Sequence, residues 1–102
     1  MARTKALFHP SASEDYDAAY AWYFTHGIGI ANDFEREIER CLRLIEEAPL
    51  RWPRYDAQRR RMIARKFPYP IIYEIINEQI TVLAVAHARR RPYYWRERIG
   101  ET

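Results

Sequence analysis

Residues Phe67–Trp95 read FPYPIIYEIINEQITVLAVAHARRRPYYW. Two apolar, β-branched runs, Ile71–Ile76 and Ile80–Ala86, flank the polar turn Asn77-Glu78-Gln79, the pattern of an antiparallel hairpin. Isoleucine and valine are stiff at χ1 and pack well on a pleated surface. The second run is apolar on both faces, which predicts a central strand covered on one side by helices. It ends in His87, three arginines and an aromatic cluster, so a rigid strand delivers cations to one end of the sheet, where function is expected.

Working back toward the N-terminus, Gln58–Lys66 starts as a charge run and then alternates loosely, predicting a strand with one cationic face. Before it, Ala48–Asp56 (APLRWPRYD) carries two prolines and two large aromatics and reads as a loop packed by its own side chains. Ile30, Phe34, Ile38, Cys41, Leu42 and Ile45 recur at helical spacing, with Glu35, Arg36, Glu37, Glu39, Arg40 and Arg43 on the remaining face. A preceding helix is marked by Tyr16, Ala19, Tyr20 and Tyr23, with Ser11 and Glu14 spaced as a capping box, and His26-Gly27-Ile28-Gly29 separates the two. Thr4–His9 reads as a short strand stopped by Pro10. The predicted order is β-α-α-β-β-β: an α+β fold in which an antiparallel sheet of about four strands packs on an N-terminal helical hairpin.

At 102 residues the chain is expected to form one domain over residues 1–102. Its only cysteine, Cys41, rules out an internal disulfide and suits a reducing compartment. No apolar run approaches the roughly 20 residues needed to cross a bilayer, and the N-terminus lacks a signal-peptide apolar region, so a cytoplasmic protein with no membrane partner is expected. The charge is bipolar. Residues 1–50 carry nine acids against five bases, a net −4, and residues 51–102 carry twelve bases against five acids, a net +7. A basic half of this kind meets nucleic acid, an acidic protein or an anionic ligand.

Phe67-Pro68-Tyr69 with Ile72-Tyr73, then Leu83–His87 with Arg90 and Tyr94-Trp95, resemble the RelE/ParE superfamily of type II toxin–antitoxin toxins. Trp22-Tyr23, the Phe34–Ile45 helix, Glu47-Ala48-Pro49 and Trp52-Pro53 extend the resemblance over nearly the whole chain. It implies the fold order already given and a cognate antitoxin that is small, with an acidic segment lying along the toxin. The superfamily holds ribosome-dependent mRNA endonucleases and gyrase poisons on one fold. On the nuclease branch Arg61, Arg65, His87 and Tyr94 would be the catalytic set, stabilising charge on a phosphate attacked by a ribose 2′-hydroxyl. Pro70 stands where that branch carries a phosphate-facing arginine, which favours the ParE-like branch, a toxin that inhibits DNA gyrase without a catalytic site of its own.

On the ParE-like reading Arg59, Arg60, Arg61, Arg65, Arg89, Arg90, Arg91, Tyr94 and Trp95 form a partner-binding surface, since arginine and large aromatics concentrate at interface centres. Two alternatives stay open: a ribosome-dependent endonuclease acting on mRNA, and an inactive module that only binds its antitoxin. His87 reads either as a general acid/base or as a strand-end residue bonded within the fold. His9 and His26 are scattered and Cys41 sits on an apolar helix face, so neither a metal nor a cofactor is expected.

Overall fold

The computed structural model describes residues 5–87 and 94–99. The hairpin forms as the sequence predicts, with β3 at Pro70–Ile76, β4 at Gln79–Val85 and Ile76 paired to Gln79. Its connection is the two-residue turn Asn77-Glu78, both residues at positive φ (50° and 66°), the geometry that matches the right-handed twist of the flanking strands. Asparagine tolerates that region. Glutamate does so at a cost.

The remaining elements are β1 (Leu7–Phe8), α1 (Pro10–Phe24), α2 (Ile28–Glu47), β2 (Arg59–Ile63) and a closing 3₁₀ turn (Tyr94–Ile99). They form one four-stranded sheet in the order β1-β4-β3-β2. β2 pairs with β3 and β3 with β4 antiparallel, but β1 lies parallel to β4, with Leu7 opposite Thr81. The sheet is therefore mixed, not wholly antiparallel as the sequence suggested. The crossover through two antiparallel helices turns the chain so that β2 restarts in the direction of β1, and the two hairpin reversals give β4 that same direction.

Two helix ends differ in detail from the sequence reading. The cap of α1 is His9, not Ser11: its Nδ1 accepts from the Ser11 N–H at 3.1 Å, and Pro10 occupies the first turn, where no N–H is needed. Gly27 caps α2 at φ 139°, a conformation that L side chains rarely adopt, which is why the chain reverses there.

Both faces of the sheet are covered. On the helical side Phe34 is fully buried at an aromatic hub, its ring 5.5 Å from Tyr16, 5.2 Å from Tyr23 and 5.3 Å from both Phe67 and Tyr69. On the other side Ile72, Leu83, Ala84 and Ala86 pack against Trp95. A register shift supports this second layer. Ile72 faces Ala84 and Tyr73 faces Val82, so Leu83 is the extra residue, and Leu83 and Ala84 both enter the outer cluster.

The 48–58 loop is pinned to the sheet. Tyr73 donates its hydroxyl to the Pro49 carbonyl at 2.6 Å, Arg60 Nη1 donates to the Trp52 carbonyl at 2.7 Å, and the Arg61 N–H donates to the Pro53 carbonyl at 3.0 Å. These bonds cover part of the outer edge of β2, which would otherwise be an open ladder. Among the described residues no helix is long and apolar enough to cross a membrane.

Candidate partner-binding surface

Strand β2 alternates, so Met62 points to the helical core while Arg59 and Arg61 point to the opposite face. Arg59 is 5% exposed. A buried guanidinium needs counter-charge, and two carboxylates supply it: Asp56 at 3.4 Å and Glu74 at 3.5 Å. Its remaining side lies over the Trp95 ring at 5.1 Å, a cation–π contact. Burial alone would raise the Asp56 carboxyl, but the N–H groups of Gln58 and Arg59 at 2.9 Å, and the guanidinium, hold it below its ordinary value.

This geometry corrects the sequence reading at two positions. Arg59 and Trp95, expected on a contact surface, are interior: the sheet has a second apolar face, Trp95 is fully buried on it, and Arg59 locks that tryptophan to the β2–β3 side. Arg60 is half-buried and holds the Trp52 loop. Arg61 is exposed over Tyr55, its guanidinium 5.7 Å from the ring centre.

His87 and Tyr94 do come together. They line one groove of about 660 Å3 with Asp15, Trp22, Pro68 and Tyr69, at the end of the sheet where β4 delivers the C-terminal segment. The His87 ring stands edge-on to Tyr69 at 5.1 Å. Asp15 Oδ2 accepts from the Val85 N–H at 3.1 Å and from the Tyr94 hydroxyl at 3.2 Å, tying α1, β4 and the 3₁₀ turn to one carboxylate. Burial, followed by the neighbouring Tyr23 phenol and the Asp15 carboxylate, pushes the Tyr69 phenol up.

Arg65 sits elsewhere. It lines a groove against α2, and its backbone N–H donates to Glu37 Oε2. The four residues of the nuclease set therefore occupy three places: Arg61 on the outer sheet face, Arg65 against α2, and His87 with Tyr94 in the end groove. Arg89, Arg90 and Arg91 lie outside the described residues. Sequence reasoning missed Asp15, Trp22 and Tyr69 as groove residues. Asp15 had a signal, because it falls three residues after Ala12 and four before Ala19, an acid on the buried stripe of α1. Among the described residues no group of three or more His, Cys, Asp or Glu could hold a metal.

Comparison with known proteins adds two findings. The family model for the ParE toxin of type II toxin–antitoxin systems (parDE) matches residues 6–92. The chain is also similar to a solved structure described as the chromosomal ParDE TA system from P. aeruginosa, with a TM-score of 0.74 at 15% identity, covering 85% of this chain and 98% of that one. At that identity the likeness is one of fold. No curated protein matches the chain.

Proposed function

This chain belongs to the ParE toxin family of type II toxin–antitoxin systems, and from that membership we propose that it is a cytoplasmic, single-domain toxin that inhibits DNA gyrase and is neutralised by binding a cognate antitoxin. The observation that carries the gyrase reading over the nuclease one is the dispersal of the candidate catalytic side chains. Cleavage by a ribose 2′-hydroxyl needs cations and a proton-transfer group converging on one phosphate. Here His87 and Tyr94 share a groove whose described lining holds neither Arg61 nor Arg65. Pro70 starts β3, and the resemblance to the nuclease branch would put that branch's arginine at this position.

A gyrase inhibitor asks less of its own side chains. It needs a rigid surface that presents cations and aromatic groups to a macromolecule, and the doubly covered sheet supplies the rigid part. Exposed Arg61, with Arg89, Arg90 and Arg91 of the C-terminal segment and Tyr94 at the groove, are the residues assigned to that contact. Arg59 and Trp95 serve beneath it as scaffold.

The test runs two assays on the toxin freed of antitoxin. Loss of plasmid supercoiling by gyrase, with ribosome-bound mRNA left intact, is the expected pair of results. Cleavage of mRNA in the ribosomal A site with unimpaired supercoiling would instead select the endonuclease reading. Silence in both would leave an antitoxin-binding module without a toxic activity.

A further inference from the structure

On its outer side β4 is flanked by β1 only as far as Val82: the His9 N–H donates to the Val82 carbonyl at 2.8 Å, and Pro10 then turns the chain into α1. Beyond that point the Val85 N–H faces the same side, since the next residue, Ala86, donates to the Pro70 carbonyl on the β3 side at 2.9 Å. Val82 and Val85 are three residues apart, and a regular strand would aim their backbone groups at opposite sides. The extra residue Leu83 makes up the difference, so the bulge turns the Val85 N–H outward past the end of β1. Left unpaired, that N–H would be an open sheet edge. Asp15 closes it. Its Oδ2 accepts the Val85 N–H at 3.1 Å, from the stripe of α1 that also holds buried Ala12 and Ala19.

The same oxygen accepts the Tyr94 hydroxyl at 3.2 Å, and Tyr94 opens the closing 3₁₀ turn. Its neighbour Trp95 is fully buried on the opposite face of the sheet, so the turn is held from two layers. One attachment leaves a chain free to pivot about it, and a second, directional one removes that freedom. We propose that Asp15 is a positioning residue for gyrase inhibition: its carboxylate fixes the Tyr94 end of the C-terminal segment against the end of β4, and so sets the orientation in which the surface assigned to gyrase is presented. The inference rests on the gyrase reading above and deepens it. In sequence Arg89, Arg90 and Arg91 fall between His87, whose ring stands against Tyr69, and Tyr94, which Asp15 holds. A surface that adopts its competent orientation only part of the time binds with its affinity reduced by that fraction. Asp15 itself touches no partner in this account. By charge alone, losing a carboxylate beside a basic segment would favour an anionic partner, so the charge effect and the positioning role have opposite signs.

The experiment measures inhibition of gyrase supercoiling and limited trypsin digestion on the full-length chain freed of antitoxin. Tyr94→Phe removes only the hydroxyl that Asp15 holds and leaves the Val85 bond in place, whereas Asp15→Ala removes both bonds. Each is expected to raise the half-inhibitory concentration at least about tenfold, the scale of one lost hydrogen bond to a charged group, and to speed cutting after Arg89 and Arg90. The double variant is expected to inhibit no more weakly than Asp15→Ala alone, because the two groups act through one bond. Glu37→Gln, which loosens α2 from the Arg65 backbone away from the Asp15 groove, controls for general destabilisation and is expected to inhibit as wild type does. If Asp15→Ala does not fold, Tyr94→Phe carries the test. The proposal is overturned if either single variant inhibits as wild type does, if the two single losses add in the double variant, or if Glu37→Gln loses as much. A wild-type chain that leaves supercoiling intact overturns the gyrase reading itself, and the digestion then decides the anchoring, which fails if the Asp15 and Tyr94 variants are cut at the wild-type rate.

Discussion

Replacing Arg59 with methionine keeps much of the side-chain volume but removes the one cation that, among the described residues, pairs with both Asp56 and Glu74. Removing one partner from a fully buried ion pair costs about 3–5 kcal/mol, because the charge left behind is uncompensated. The Asp56 and Glu74 side chains keep 19% and 18% of their surface exposed, so water takes up part of that load. The expected loss is then about 2–3 kcal/mol, with up to ~1 kcal/mol more from the cation–π contact to Trp95. Urea unfolding followed by tryptophan fluorescence measures it, and adding Glu74→Gln should recover about 1 kcal/mol. The pH dependence gives an independent check. In the native protein the Asp56 carboxyl is held below its ordinary value, so its contribution is present above the unfolded pKa and is lost as pH falls. In the variant the Asp56 carboxyl has lost the guanidinium that helped hold it down, so the gap to wild type closes as pH falls. A variant within about 0.5 kcal/mol of wild type, or a gap that does not change with pH, would refute the assignment of Arg59 as a buried structural cation.

Three further substitutions test other joints. Glu37, held down to about 2 chiefly by its bonds from Arg40, contributes stability above its unfolded pKa that is lost as pH falls from about 4.5 toward 2; Glu37→Gln should cost about 2–3 kcal/mol at pH 7, with the difference vanishing near pH 2 in pH-dependent unfolding. Glu78→Gly relieves a non-glycine residue at φ 66° and completes an Asn-Gly turn, so the urea midpoint should rise by the equivalent of about 0.5–1 kcal/mol. Tyr73→Phe removes the 2.6 Å bond to the Pro49 carbonyl and should lower stability by about 1 kcal/mol, with faster hydrogen exchange in the 48–58 loop.

The parts of the fold that were legible in the sequence are those written as local periodicity. The Ile71–Ala86 hairpin and the α2 stripe needed only spacing and turn chemistry: of the six stripe residues Phe34, Ile38, Cys41 and Ile45 are buried and Leu42 is partly buried, while Ile30, at the start of the helix, is 40% exposed. The parallel pairing of β1 was not legible, because a two-residue strand carries no periodicity and its partner is some seventy residues away. Arg59 and Trp95 were misplaced for a related reason. A charge run reads as solvated unless the acids that neutralise it are seen, and Glu74 reaches Arg59 only through the β2–β3 register. Pro10 looked like a strand stop and is one, but it also opens α1, which moved the cap from Ser11 to His9. The end groove was half visible: His87 and Tyr94 stand out in sequence, whereas Trp22 and Tyr69 join them only when α1 packs beside β4.

The most direct test of the central claim incubates relaxed plasmid, gyrase and ATP with the chain freed of its antitoxin, then adds detergent and protease. The account predicts that supercoiling is lost and that linear plasmid accumulates from trapped cleavage complexes, both reversed by adding antitoxin. Normal supercoiling with no linear plasmid, from a folded chain that still binds its antitoxin, would contradict it.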